Sequence, residues 1–158
     1  MDAKKIAKWF LSKESMSPKK IQKLVYYAYS WYLTLMNDSV EYLNNKLFDE
    51  EIKAWVHGPV VNSIYQEYRD YKFNEVPKQE IDENEFDEDT LDVLNQVWDV
   101  YGQYNANELE SITHQEEPWI SARGDLSPLE NGYDSIDDRI IFEYYLGQME
   151  AVSYTHLW

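Results

Sequence analysis

Between Ser17 and Met36 the chain carries a helical pattern that is apolar on two sides, and a helix of that kind needs neighbours on both. Ile21, Leu24, Val25, Ala28, Trp31, Tyr32 and Leu35 follow the three-and-four spacing of one helix face. Tyr26, Tyr29, Leu33 and Met36 form a second row beside it. Ser17 stands where an N-cap hydroxyl is wanted. Pro18 takes the first helical position, where its missing N–H costs nothing because that group has no partner inside a helix. Asn37-Asp38 ends the run. The pattern predicts a central helix enclosed by others.

The rest of the chain supplies those neighbours. Met1 to Ser15 reads as a short helix, its apolar residues interrupted by lysines and so unlike the unbroken apolar stretch of a secretory signal. Leu47 to Trp55 fits either a short helix or an extended piece. His57-Gly58-Pro59 is a break, and Pro59 fits the first turn of a helix carrying Val60, Val61, Ile64, Tyr65 and Tyr68. Glu75 to Asp89 loses periodicity and reads as a surface loop. Thr90 can cap a helix striped by Leu91, Leu94, Trp98 and Tyr101, with Val93, Val97 and Val100 beside them. Asn105 and Glu108 have capping-box spacing ahead of Leu109 and Ile112. Pro118-Trp119 opens a short turn of helix through Arg123, and Ser135 with Asp138 starts a last helix bearing Ile136, Ile140, Ile141, Tyr144 and Tyr145.

The expected architecture is an all-α or mainly α single domain over residues 1–158, a compact bundle of about six to seven helices with room for a short extended segment. A length of 158 residues supports one core. Residues 153–158 follow the last helix without pattern and are read as a tail, native or a scar of sequence assembly. No stretch approaches the roughly 18 consecutive apolar residues of a membrane span. The absence of cysteine excludes disulfides, thiolate metal sites and cysteine nucleophiles and fits a cytoplasmic location.

Charge is divided unevenly. The net charge is −16; Met1–Lys78 holds 12 bases and 10 acids, whereas Gln79–Trp158 holds 2 bases and 20 acids. No Lys or Arg occurs between Gln79 and Ala122. Acidity of this degree argues against direct binding to a nucleic-acid backbone or to an anionic membrane. Two readings remain open: acidic faces that are merely solvated or packed near the basic N-terminal helices, and an acidic surface, Glu83, Glu85, Asp87, Glu88 and Asp89, that steers a basic partner.

Sites for chemistry are scarce. His57, His114 and His156 have no helical metal-pair spacing, and no phosphate-binding glycine loop or nucleophile elbow occurs. Neither a cofactor nor a metal is expected. His114 is the only candidate general base; its alternative is a structural ring that hydrogen-bonds to the backbone or a carboxylate and sets the path into Pro118. Trp31, Trp55, Trp98 and Trp119 fall at core-like places. Fourteen tyrosines are too many to bury, so some rings must lie on the surface, which favours protein binding over catalysis.

Four motifs carry a resemblance to a known family. Lys20-Ile21-Gln22-Lys23-Leu24-Val25-Tyr26-Tyr27-Ala28, followed by Trp31, resembles the opening of Panacea antitoxin domains, the SocA-like group of phage-associated proteins. Phe48 to Val61 is similar to that family's segment ending in Trp, Gly-Pro and Val, here Trp55, Gly58, Pro59 and Val60. Leu109 to Trp119, with Thr113-His114 and Pro118-Trp119, resembles its Thr-His and Pro-Trp motif, and Ile136 to Tyr145 is similar to its closing helix. The motifs come in the family's order over about residues 17–146.

The resemblance implies a mainly helical, non-catalytic domain. It implies an antitoxin that neutralises a cognate protein toxin by direct binding, in some members by delivering the toxin to a protease. It marks Lys23, Tyr27, Trp31, Trp55, Gly58, Pro59, Thr113, His114 and Trp119 as family-motif residues, chiefly structural and available as partner contacts. The net charge adds the expectation of a basic toxin and supports one rival: a phage counter-defence protein whose acidic surface mimics DNA and blocks a nucleic-acid-binding enzyme.

Overall fold

The computed structural model describes residues 1–156. Seven α-helices and a two-stranded hairpin are found there. In chain order they are α1 (Ala3–Leu11), α2 (Pro18–Leu35), β1 (Ile52–Trp55), β2 (Gly58–Val61), α3 (Asn62–Tyr68), α4 (Glu88–Tyr101), α5 (Ala106–His114), α6 (Glu117–Arg123) and α7 (Asp138–His156). The mainly α architecture is the one the periodicity predicts.

α2 is the hub. It packs against α1, α3, α4, α5, α7 and β2, so its two apolar rows both find cover. Every residue from Lys20 to Ser30 is buried. Ser17 caps it by accepting the Lys20 N–H, and Pro18 sits in its first turn. At the far end Asn37 turns the chain. Its side-chain amide donates to the carbonyls of Leu33 and Asn45 and accepts the Asn45 N–H.

α1 is not a surface adjunct. Ile6, Trp9, Phe10 and Leu11 are wholly buried against α2 and α3. Asp2 caps its first turn through the Lys5 N–H, and Glu50 accepts the Ala3 N–H.

The ambiguous segment before His57 is extended, and Pro59 lies in a strand rather than in the first turn of a helix. β1 and β2 pair antiparallel, with Ala54 opposite Pro59 and Trp55 opposite Gly58. Ala54 turns its N–H away from β2, to the Asp134 carbonyl, so Pro59 sits where the ladder needs no donor. The outer edge of β2 is closed by α2: Gln22 donates to the Val61 carbonyl at 3.0 Å and accepts the Val61 N–H at 2.9 Å. One amide thus replaces a missing strand. The helix expected from Pro59 begins only at Asn62.

Helix starts account for two further corrections. Asp87, not Thr90, caps α4; its carboxylate accepts the Thr90 N–H at 2.7 Å, and Thr90 itself is buried. At α7 the Asp137 carboxylate accepts the Arg139 N–H and its carbonyl the Ile141 N–H, whereas Ser135 binds Lys53 beside β1. In both places an aspartate closer to the first helical residue outcompetes a hydroxyl that tertiary packing uses elsewhere. The capping box of Asn105 and Glu108 forms as the spacing predicts.

The core face of α4 is rotated from the expected stripe. Val93, Leu94 and Val97 are buried, Trp98 is half-buried and Val100 is exposed. The expected Glu75–Asp89 loop is irregular surface chain only as far as Asp87, with a 3-10 turn at Glu83–Glu85 and anchors at Val76, which bridges Met16, and at buried Phe86; Glu88 and Asp89 instead begin α4. Residues 153–156 continue α7, so that part of the expected tail is helical; Leu157 and Trp158 lie outside the described residues.

Candidate functional site

Seven of the nine family-motif residues, Lys23, Trp55, Gly58, Pro59, Thr113, His114 and Trp119, meet where α2, the hairpin, α5 and α6 converge, whereas Tyr27 and Trp31 reach Tyr101 on α4. Lys23 projects from the middle of α2 and is 1% exposed. Its ammonium donates to the Pro59 carbonyl at 3.3 Å. Gly58 has φ of +113°, a conformation that side chains resist, and a Cβ there would lie 2.5 Å from Lys23 Cε and 3.2 Å from Thr113 Oγ1. Glycine, lysine and threonine therefore interlock. Burial, reinforced by Lys19, lowers the Lys23 pKa to about 7, against a smaller opposing pull from Glu110.

The Trp119 side chain closes the same region. Its indole N–H donates to the Trp55 carbonyl at 2.9 Å. His114 stacks on it with ring centroids 3.9 Å apart, and the Arg123 guanidinium lies 5.3 Å from its ring. Buried Arg123 also donates to the carbonyls of Ala54 and Ser127, tying the loop after α6 to the hairpin. The expected hydrogen-bonding role of His114 is not what the ring does. It stacks, and its enclosed Nε2 has no partner among the described residues. Burial keeps its pKa below the ordinary value, which favours the neutral ring.

A second polar chain begins at Tyr27. Its hydroxyl donates to Glu116 Oε1 at 2.7 Å, and Tyr145 donates to the same oxygen at 3.0 Å. Tyr27 stacks on Tyr101 at 3.9 Å, and the Tyr101 hydroxyl accepts the Trp31 indole N–H at 3.1 Å. Burial raises the Glu116 pKa, an effect the two tyrosine bonds partly offset. Burial and the Glu116 charge together raise that of Tyr27. Tyr101 is pushed up to about 12, chiefly by burial.

This chain is the inner wall of a groove. A cavity of about 490 Å³ opens between α2, α4 and α7, lined by Trp31, Val97, Val100, Tyr101 and Tyr145, with Glu116 in its lining. Leu35 and Val100 are exposed at its margin. Pattern reading from the sequence missed Glu116 and the groove altogether. The one available signal was the acid pair Glu116-Glu117 directly ahead of Pro118-Trp119, of which Glu116 acquires meaning only when α2 and α7 bring tyrosines to it.

The acidic surface is a separate feature. Glu83, Glu85, Asp87, Glu88 and Asp89 are all exposed, on the loop before α4 and in its first turn. Glu83 faces Lys13 at 3.8 Å and Asp87 serves as the cap, so two of the five are engaged within the fold. Glu85, Glu88 and Asp89 make no ion pair among the described residues. The opposite charges of the two halves meet elsewhere too: Lys19 pairs with Glu110, which also binds His57 Nδ1 at 3.1 Å, and Lys46 pairs with Asp138. Tyrosines divide as expected: Tyr26, Tyr27, Tyr29, Tyr68 and Tyr145 are buried, whereas Tyr42, Tyr65, Tyr71 and Tyr133 are exposed. Among the described residues, no helix is long and apolar enough to cross a membrane.

Comparison with protein families gives one match. The model described as "Antitoxin SocA-like, Panacea domain" matches residues 21–120, from the first turn of α2 into α6. The range takes in Lys23, Gly58, Thr113, Glu116 and Trp119 and leaves out α1 and α7. No curated protein and no solved structure matches the chain.

Proposed function

The chain belongs to the SocA-like antitoxin family that carries the Panacea domain, and from that premise we propose that it neutralises a cognate protein toxin by binding it directly. The observation that carries this reading is how the matched motif residues are used. Lys23, Gly58, Pro59, Thr113, His114 and Trp119 lock helices and hairpin together instead of converging on a reactive centre. The protein acts as a binder and not as a catalyst. Its tools are exposed aromatic rings and an acidic surface, the groups that supply contact area and attract a basic partner. Delivery of the bound toxin to a protease is a further role such a binder can fill, and the cytoplasm is where it meets its toxin.

The test is co-expression with the adjacent open reading frame. Growth rescue together with co-purification of a stable complex is expected. A neighbour that is harmless alone and forms no complex argues against the reading. The exposed run Glu85, Glu88 and Asp89 also supports the rival of a DNA-mimicking blocker of a nucleic-acid-binding enzyme. Competition separates the two: duplex DNA displaces the protein from its partner in the rival case and leaves an antitoxin complex intact.

A further inference from the structure

The groove between α2, α4 and α7 has a chemistry that the motif centre lacks. Its walls are apolar and aromatic: Trp31 and Leu35 from α2, Val97 and Val100 from α4, Tyr145 and Met149 from α7. Its lining includes Glu116. Tyr27 and Tyr145 both donate to Oε1, and no described residue hydrogen-bonds to Oε2. An acceptor with one oxygen uncommitted, set among aromatic rings, suits a cationic side chain with an apolar stem. Among the described residues no Lys or Arg lines the groove, and α4 and α5 contain none.

The electrostatics continue along α4. Asp89 stands one turn before Val93 on the side that Val93, Val97 and Val100 share. It closes the exposed acidic run that begins at Glu83. A basic segment attracted to that run is thus delivered to the end of the groove. The cavity of about 490 Å³ is of a size to take several side chains from one face of a helix.

We infer that this groove is the docking site for a basic amphipathic helix of a protein partner, whose apolar residues pack between α4 and α7 while an Arg or Lys reaches Glu116 Oε2. The inference names the surface by which the proposed neutralisation works and so rests on that reading for the partner's identity as a toxin. Charge complementarity fixes the occupant: an acidic or neutral helix would leave Glu116 and Asp89 uncompensated.

The test uses the full chain, two groove variants and one control variant. Val100→Arg places a cation at an exposed position of the groove margin, where the native side chain is 53% exposed. Glu116→Gln keeps an acceptor for both tyrosines and removes the charge. Leu129→Arg, at an 86% exposed site outside the groove, is the control. Thermal melts establish that all are folded. The probe is a synthetic, fluorescently labelled amphipathic helix of about four turns, with leucine and arginine on one face, compared with a twin in which glutamate replaces arginine.

Saturable binding of the arginine peptide, with no binding of the glutamate twin, is expected. A loss of about tenfold or more is expected for Val100→Arg and for Glu116→Gln and none for Leu129→Arg. No saturable binding by the native chain, equal binding of the two peptides, or unchanged affinity in Val100→Arg overturns the inference.

Growth assays separate it from the antitoxin reading. Rescue by the native chain that is lost in Val100→Arg supports both. Rescue by both chains overturns the groove as the toxin site and leaves neutralisation standing. Failure of the native chain to rescue overturns neutralisation, and the peptide measurement then decides the groove alone.

Discussion

Lys23 occupies the space that a side chain on residue 58 would need: its Cε lies 2.5 Å from where a Cβ on Gly58 would stand. The pairing explains why a lysine buried in the middle of the central helix and a glycine at the hairpin belong together. Gly58→Ala adds both strain, at φ of +113°, and a steric conflict with Lys23. It should cost about 2–4 kcal/mol of unfolding free energy. In the double variant with Lys23→Ala the losses should fall short of additive by at least about 1 kcal/mol. Denaturant titration of the four proteins measures this, and strict additivity would show that the two residues do not compete for space.

The low pKa of Lys23 makes stability depend on alkaline pH. The unfolded lysine titrates near 10.5 and the folded one at about 7, so the unfolded chain binds more protons between these values. The lysine's favourable contribution is complete above 10.5 and is lost as pH falls through about 7. Relative to Lys23→Met, the native chain should gain stability as pH rises from about 7 towards 10, with a slope approaching about 1.4 kcal/mol per unit. Parallel melting curves of the two proteins across that range would contradict the assignment.

Glu116 has the opposite sign. Its folded pKa is raised above 4.5, so its contribution is complete below 4.5 and lost as pH rises through the folded value. Gln at this position does not titrate. The difference in melting temperature between Glu116→Gln and the native chain should therefore move in the variant's favour as pH is raised from 4.5 to neutral. A difference that is constant with pH would mean that the carboxylate is solvated and not enclosed by its tyrosines.

The Gln22 amide satisfies both backbone groups of Val61. Gln22→Ala strands a buried donor and a buried acceptor and should destabilise by about 2–3 kcal/mol. Gln22→Glu, which keeps the acceptor and loses the donor, should also destabilise the fold. Hydrogen exchange at the Val61 amide offers a local check: protection should fall with Gln22→Ala and be retained where the amide is intact.

Neutralising Glu85, Glu88 and Asp89 together, as Gln, Gln and Asn, should slow association with a basic partner by up to about tenfold at low salt and flatten the salt dependence. Dissociation should change little, because rim charges steer encounter more than they hold a complex. Stopped-flow association at several ionic strengths makes the comparison, and an unchanged on-rate at low salt removes the steering role.

Much of this molecule is written in local pattern. The two-sided apolar run of α2, the Ser17-Pro18 start and the Asn105–Glu108 box depend on residues within a turn or two of each other, and all three form as read. The failures share one cause. Pro59, Thr90 and Ser135 each suit a helix start by local chemistry, but the packing of the whole chain uses each differently. Pro59 is held beside β1 and under Lys23, Thr90 is buried in the core, and Ser135 is bound by Lys53. A local preference is worth about 1 kcal/mol and yields when packing or a ladder offers more.

The sequence alone determined the fold class, the hub helix and the family, because periodicity, capping and motif order are properties of the chain itself. Tertiary structure alone decided what the motif residues do and where the groove lies. Lys23 and Gly58 exclude each other's volume only when α2 crosses the hairpin. Glu116 becomes a buried acceptor only when α2 and α7 bring Tyr27 and Tyr145 to it. Such sites are made by burial and by distances between residues far apart in the chain, and no spacing along the sequence encodes either.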